Sequence, residues 1–402
     1  METVRKSVLV SVRKLNQFSV ASRCIGTQTK HSQQDDEILD GRSFQARDTM
    51  VYRTRRPQPK PAKDTLSFGT AFSDHMLTIE WEGQWSTPVI SPLKNLSLHP
   101  AAKTLQYCTQ VFEGMKAFRG YDDKVRLFRP MNNMERMVKS AERAGLPTFE
   151  PEELLGCVKK LVSLDKSWIP KASPDMPYST YLRPTMIGTE PALGIDKPAS
   201  CMLYVISGPV GPYFKTGMKP VSLLADPKYV RAWPGGSGMY KMGSNYAPTI
   251  HVQKAALEAG CQQVLWLHGD EQEITEAGTM NLFLYWINTD GEKELVTAPL
   301  NGIILPGVTR QSVLDLANQW GEFKVTERSI TMLELIRGIE ENRVIEMFGS
   351  GTAVSICPVG QIKYCDQWYT VSKEQKLATR MFKQLTAIQY GELQSEWAVE
   401  VD

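Results

Sequence analysis

Apolar and polar positions follow two rhythms along this chain. His75-Met-Leu-Thr-Ile-Glu-Trp81 alternates with period two and predicts a strand that ends in a turn at Gly83. Lys124-Val-Arg-Leu-Phe-Arg129 predicts another strand, leading into 132–145, where Met134, Met137, Ala141 and Ala144 recur at helical spacing. Residues 202–207 read as a short buried strand. The stretch Gly208-Pro-Val-Gly-Pro-Tyr-Phe-Lys-Thr-Gly217 is so rich in Gly and Pro that it predicts the boundary between two domains.

The second half repeats both rhythms. Strands are expected over 221–225, 263–267, near Ile274 and over 281–287, the last closed by the turn Asp290-Gly291. One helix opens at Pro248 and runs to about Ala259. A second starts after Pro306 and reaches Trp320, and Thr331-Met-Leu-Glu334 has the form of a capping box for a third. Strands and helices mix without strict strand–helix–strand alternation, so an α+β protein of two domains fits better than a doubly wound sheet. The expected plan is a leader over 1–34, a basic Pro-rich arm over 35–65, a small domain over 66–207, an interdomain loop over 208–220 and a larger domain over 221–402.

Composition removes several function classes. With 42% hydrophobic and 22% charged residues over 402 positions, wholesale disorder is excluded. No run approaches the roughly 18–20 apolar residues of a membrane-spanning helix. Seven scattered cysteines, an odd number, argue against a disulfide scaffold. The 46 basic and 44 acidic residues give no strong pull toward nucleic acid. The balance is uneven, however. Residues 1–34 hold six basic residues against Glu2 alone, interleaved with Ser and Val, the form of a mitochondrial import sequence; a basic tail is the plainer alternative. A second basic stretch, 53–63, carries three prolines and no acid, and reads as a surface arm.

The richest chemistry lies in Pro234-Gly-Gly-Ser-Gly-Met-Tyr-Lys241-Met-Gly-Ser-Asn-Tyr246-Ala-Pro248. It is no phosphate-binding P-loop, because Tyr240 and Met242 stand where Gly and Ser or Thr are needed. A lysine among glycines suits another task, since burial frees its amine to form a Schiff base with a carbonyl; a surface lysine on a turn is the competing reading. Glu276 stands just ahead of the apolar run Leu282-Phe-Leu-Tyr-Trp-Ile287 and needs a cationic partner, which the pyridinium of pyridoxal phosphate would provide. Leu305-Pro-Gly307-Val308-Thr309-Arg310 opens a helix whose amides suit a phosphate, and Gly349-Ser-Gly351-Thr352-Ala353 is a second small, donor-rich turn. Each of these has an ordinary capping role as its alternative.

Taken together, these segments resemble the fold-type IV pyridoxal-phosphate enzymes. With Phe112-Glu-Gly-Met-Lys-Ala-Phe118, Tyr181-Leu-Arg183-Pro and Lys228-Tyr-Val-Arg231-Ala-Trp, the resemblance is to the animal branched-chain-amino-acid aminotransferases, from about Phe44 to the C-terminus. It implies a smaller N-terminal α/β domain, a larger barrel-like domain, pyridoxal 5'-phosphate as cofactor, and a homodimer with no nucleic-acid or membrane partner. Lys241 would bind the cofactor covalently, Glu276 would pair with its ring nitrogen and Tyr246 with its phenolic oxygen. Val308, Thr309, Thr352 and Arg136 would hold the phosphate. Phe68, Phe112, Tyr181 and Tyr213 would surround the branched tail, joined by Tyr107 and Ile195 of the neighbouring subunit. Thr279 and Ala353 would receive the α-carboxylate, and Arg183 the second carboxylate of glutamate or 2-oxoglutarate. The resemblance thus implies reversible transfer of the amino group of leucine, isoleucine or valine to 2-oxoglutarate, in the mitochondrial matrix or else the cytoplasm. D-amino-acid aminotransferase, aminodeoxychorismate lyase and an inactive binding relative are the alternatives. One departure stands out: related animal enzymes often carry a Cys-x-x-Cys pair after the GSGTA turn, whereas Val354-Ser-Ile-Cys357 lacks the first cysteine, so Cys357 is expected to be a plain buried residue.

Overall fold

The computed structural model describes residues 43–173, 177–212, 218–371 and 374–401; the expected leader and the start of the basic arm lie outside them. The first sheet takes β1 (Met50–Val51), β2 (His75–Trp81), β3 (Val89–Pro92), β4 (Gln110–Phe112), β5 (Met115–Arg119), β6 (Val125–Phe128), β7 (Ser179–Gly188) and β8 (Cys201–Val210). Their order is β1-β3-β2-β8-β7-β5-β6, with β4 also on β7. Short α1 (Lys103–Tyr107) and the longer α2 (Pro130–Arg143) and α3 (Pro151–Leu164) accompany it. Met134, Met137 and Ala141 of α2 are fully buried in one core with Leu154, Val158 and Leu161 of α3, as the helical spacing predicts.

Two features of this sheet run against local composition. Strand β7 contains Pro184, which lacks a ladder donor. Its outer neighbour changes there, from β5 at 180–182 to β4 at 185–187, so a missing N–H breaks no ladder bond on that side. Strand β8 continues through Gly208, Pro209 and Val210, residues expected in the interdomain loop. A Cβ at Gly208 would sit 1.9 Å from the Ala71 carbonyl, so glycine is there for close backbone approach, with the pairing kept.

The second sheet takes β9 (Val221–Ala225), β10 (Gln263–His268), β11 (Glu273–Ala277), β12 (Met280–Ile287), β13 (Lys293–Thr297), β14 (Lys324–Glu327), β15 (Val344–Gly351), β16 (Ser355–Tyr364) and β17 (Gln367–Thr370). Six of them run β11-β10-β9-β16-β15-β12, and β12 pairs back onto β11, closing a barrel. Around it stand α4 (Thr249–Glu258), α5 (Val308–Trp320), α6 (Met332–Glu340) and α7 (Lys376–Gln389). The unbroken apolar run of β12 follows from burial on both faces. Leu282, Leu284 and Trp286 enter one core, while Phe283 joins another built from α5 and α7. Thr331 accepts the Glu334 N–H at 3.1 Å, one half of the expected capping box. The Glu334 carboxylate turns to Arg328, 3.0 Å away. Last, β18 (Ala398–Val401) returns to the first sheet against β6. Among the described residues no helix is long and apolar enough to cross a membrane.

Candidate active site

Lys241 lies in the irregular segment between β9 and α4, which is tied to itself. The Asn245 amide donates to the carbonyls of Ser237 (2.7 Å) and Tyr240 (2.9 Å), and its oxygen accepts from Ser237 Oγ (2.6 Å). Gly238 touches the Ile303 carbonyl so closely that a Cβ would fall 2.1 Å from it. Lys241 is then gripped at both backbone groups: its N–H donates to Ser140 Oγ and its carbonyl accepts the Phe112 N–H, each at 3.0 Å. The amine donates to Tyr246 Oη at 3.2 Å and sits 4.4 Å from the centre of the Phe112 ring.

One face of α2 organises this neighbourhood. Asn133, Arg136, Ser140 and Arg143 fall at i, i+3, i+7 and i+10 and therefore point the same way. Arg136 donates to both oxygens of fully buried Glu113, at 2.7 and 2.8 Å, and Asn133 adds a third bond at 2.9 Å. Burial pushes the Glu113 carboxyl up, but the Arg136 charge and hydrogen bonds outweigh it, helped by Lys241, and hold it below its ordinary value. Arg136 also reaches the Pro306 carbonyl (2.9 Å) just before α5, and Arg143 the Gly235 carbonyl (3.1 Å).

Glu276 occupies the seam that closes the barrel, paired across from Asn281. Its Oε1 accepts from the Leu305 N–H (3.1 Å) and Asn281 Nδ2 (3.2 Å), and its Oε2 lies 2.6 Å from Arg231. Burial raises the Glu276 pKa, against the pull of Arg231, the Leu305 amide and Lys241. Helix α5 begins beside it with Gly307 at the N-cap and no side chain capping it, so the amides of Val308 and Thr309 head a positive helix end. A Cβ at Gly307 would lie 2.0 Å from Asn281 Oδ1, which fixes glycine at this junction. Thr352, just past β15, shares with Val308, Thr309, Asn133 and Lys116 the lining of a cavity of about 20 Å³.

Aromatic rings gather beside the lysine. Phe68 meets Tyr181 edge-on at 4.8 Å, and Phe112 meets Tyr246 likewise at 4.8 Å. The Arg183 guanidinium lies 4.7 Å from the Phe112 ring centre and 5.3 Å from that of Tyr181, with its buried Nε unpartnered. Thr279 is exposed at the tip of the β11–β12 hairpin, its carbonyl 3.8 Å from where a Cβ on Gly351 would stand. The Ala353 carbonyl accepts from Lys116 Nζ at 2.8 Å. Tyr107 and Ile195 do not join these rings. Tyr107 donates to the Leu193 carbonyl on the surface, and Ile195 is 88% exposed. Tyr213 lies outside the described residues.

A buried carboxylate at a barrel seam, an amine between two rings and an open helix end suit an amine-transferring site, and comparison with known proteins points the same way. The family described as Amino-transferase class IV matches residues 110–362. The chain belongs to the class IV amino-transferase family. It is 56% identical to the cytosolic branched-chain-amino-acid aminotransferase of Ovis aries over 365 residues, 89% of this chain and 94% of that one. Identity to the mitochondrial branched-chain-amino-acid aminotransferase of Bos taurus is 52% over 366 residues, 89% and 92% of the two chains. The T.th. branched-chain amino acid aminotransferase, solved with pyridoxamine 5'-phosphate, superposes with a TM-score of 0.65 at 24% identity, covering 81% of this chain and 98% of that one. The α+β, two-domain fold with a barrel-like sheet is thus the class IV amino-transferase fold.

Within this class IV site, several residues had no assigned role in the sequence: Glu113, Asn133, Ser140, Arg231, Asn281 and Lys116. Glu113 carries the clearest signal, a lone acid inside the apolar stretch Val111-Phe-Glu-Gly-Met115. Arg231 is the protein's own cation for Glu276. Cys357 is buried on β16, where desolvation pushes its thiol up to about 12, as a plain core cysteine requires.

Proposed function

We propose that this class IV amino-transferase moves the amino group of L-leucine, L-isoleucine or L-valine to 2-oxoglutarate, using pyridoxal 5'-phosphate. The observation that carries the reading is Lys241, an amine bonded to Tyr246 and held at both its backbone groups, within electrostatic reach of buried Glu276. The relatives at 52–56% identity bear the matching name. The donor set fits the cofactor: an uncapped helix end for its phosphate, a buried acid for its ring nitrogen, and an unpartnered Nε on Arg231 beside that acid.

When bound, pyridoxal phosphate supplies an electron-withdrawing ring that stabilises negative charge at the substrate's Cα. The chain does the rest. Lys241 Nζ holds the cofactor and carries the proton to and from that carbon. Glu276 would hold the ring nitrogen in its protonated form, and Tyr246 Oη would bond the phenolic oxygen. The Val308 and Thr309 amides, the Thr352 hydroxyl and Arg136 hold the phosphate. Thr279 and the Ala353 amide take the α-carboxylate. Phe68, Phe112 and Tyr181 wrap the side chain, and because one methylene changes binding by only ~1–3 kcal/mol, all three branched substrates are accepted. Arg183 meets the distal carboxylate of 2-oxoglutarate.

Two copies form a homodimer in this reading, each covering the exposed surface of Tyr107 and Ile195 on the other. Lys103 steadies that surface by bonding the Asp196 carbonyl (2.9 Å) and pairing with Glu190 (2.8 Å). The segment 1–34 directs the chain to the mitochondrial matrix; relatives named cytosolic and mitochondrial both match. Purified protein given L-leucine and 2-oxoglutarate is expected to form glutamate, and Lys241→Ala to form none. Preference for D-amino acids, or transamination that survives in Lys241→Ala, overturns the reading.

A further inference from the structure

Lys116 is a buried amine to which the proposed reaction assigns no task. It sits on β5, paired with Tyr181 of β7, and 9% of it is exposed. No carboxylate among the described residues lies within salt-bridge distance of it; its acceptor is the Ala353 carbonyl, 2.8 Å away on the barrel side. A buried cation answered by one neutral carbonyl is a costly arrangement unless an anion completes it. Burial lowers its pKa to about 8.

The carbonyl it holds belongs to a turn that needs holding. Residues 352–354 link β15 to β16, and Ser355 at the start of β16 has φ +62°, a left-handed backbone rarely adopted by a side-chain-bearing residue. The same turn offers the Ala353 amide, and Lys116, Thr352 and Ser355 line the small cavity beside it together with Val308, Thr309 and Asn133. The bond therefore ties the first sheet to the barrel at the turn whose Ala353 amide is expected to meet the substrate's carboxylate.

We propose that Lys116 is a positioning residue for the substrate's α-carboxylate: its ammonium fixes the Thr352–Ala353 turn and supplies the buried positive charge that this carboxylate meets. The inference rests on the aminotransferase reading above and adds a residue to it. Loss of one charge-assisted contact predicts that Lys116→Met raises KM for leucine and for 2-oxoglutarate by about tenfold or more, with kcat within about threefold of the parent. The dissociation constant of 4-methylpentanoate, leucine's skeleton without its amine, measured by titration of the holoenzyme's absorbance, is expected to rise in parallel. Lys116→Gln, which keeps a donor but no charge, is expected to fall between the two, and it decides the question if Lys116→Met does not fold. A variant that melts earlier but keeps KM and carboxylate affinity within about twofold of the parent has lost only structure, and overturns the proposal. Parent protein that cannot transaminate leucine at all defeats the broader reading instead.

Discussion

Arg231 and Glu276 face each other at 2.6 Å, and the side chain of each is only 4% exposed. Removing one partner of such a pair strands the other charge in a dry site. Arg231→Leu is expected to destabilise the protein by about 3–5 kcal/mol, while adding Glu276→Leu to it recovers part of that loss. Urea unfolding of parent, single and double variants checks this. A double variant no more stable than Arg231→Leu would refute it.

Glu113 gives a dependence on pH whose sign is fixed by its shift. Arg136 holds the folded carboxyl below its ordinary value of 4.5, so in acid the unfolded chain binds the additional proton. The pair's contribution is complete above about pH 5 and is lost as pH falls through the lowered folded value. Glu113→Gln is therefore expected to be less stable at neutral pH, with a shallower fall in melting temperature on acidification. Equal slopes for parent and variant between neutral pH and about pH 3 would refute this.

Much of this site was legible because its chemistry lies in short segments. Gly238 beside Lys241 and the Pro306-Gly307 helix start are local signals, and they serve the close approach and the open helix end that their composition suggested. What pairs across the chain was not legible. Nothing near Glu276 names Arg231, 45 positions earlier, as its cation, and nothing in 398–401 reveals that β18 crosses back to β6. Gly208-Pro209 at the end of β8 reads as a breaker, because the close approach of the Ala71 carbonyl that explains the glycine comes from far along the chain. Tyr107 and Ile195 are exposed and lie apart from the rings around Lys241, and no local signal in their segments foretells this.

Gly114 is constrained by a side chain of the pocket. A Cβ there would fall 1.9 Å from Tyr181 Oη, so Gly114→Ala must displace that ring. Overpacking of this kind costs about 1–3 kcal/mol, and here it acts on the pocket wall. The variant is expected to stay folded and to raise KM for leucine by about tenfold, measured in the transamination assay. Unchanged KM would show that Tyr181 takes no part in binding the tail.

The six cysteines among the described residues divide by exposure. Cys108 and Cys365 are exposed, while Cys157, Cys201, Cys261 and Cys357 are buried. Desolvation pushes Cys157 to about 11 and both Cys201 and Cys357 to about 12, which leaves little thiolate to react. Brief iodoacetamide treatment of native protein, followed by peptide mass mapping, is expected to label Cys108 and Cys365 and to spare those four. Labelling of Cys357 before unfolding would contradict its burial.

In the proposed reaction, Arg183 has the task of separating the two substrates. Its guanidinium lies over Phe112 and beside Tyr181, and its Nε has no partner among the described residues, so it is free to meet an acid. Leucine presents only methyl groups at that end, whereas 2-oxoglutarate presents a carboxylate. Removing the cation should therefore cost one substrate far more than the other. Arg183→Met is expected to lower kcat/KM for 2-oxoglutarate by about a hundredfold, the loss of about 2–3 kcal/mol from a charged hydrogen bond, and for leucine by no more than about fivefold. Half-reactions measured separately with leucine and with glutamate test this, since glutamate should suffer as 2-oxoglutarate does. Equal losses for leucine and glutamate would mean that Arg183 shapes the pocket without recognising the second carboxylate.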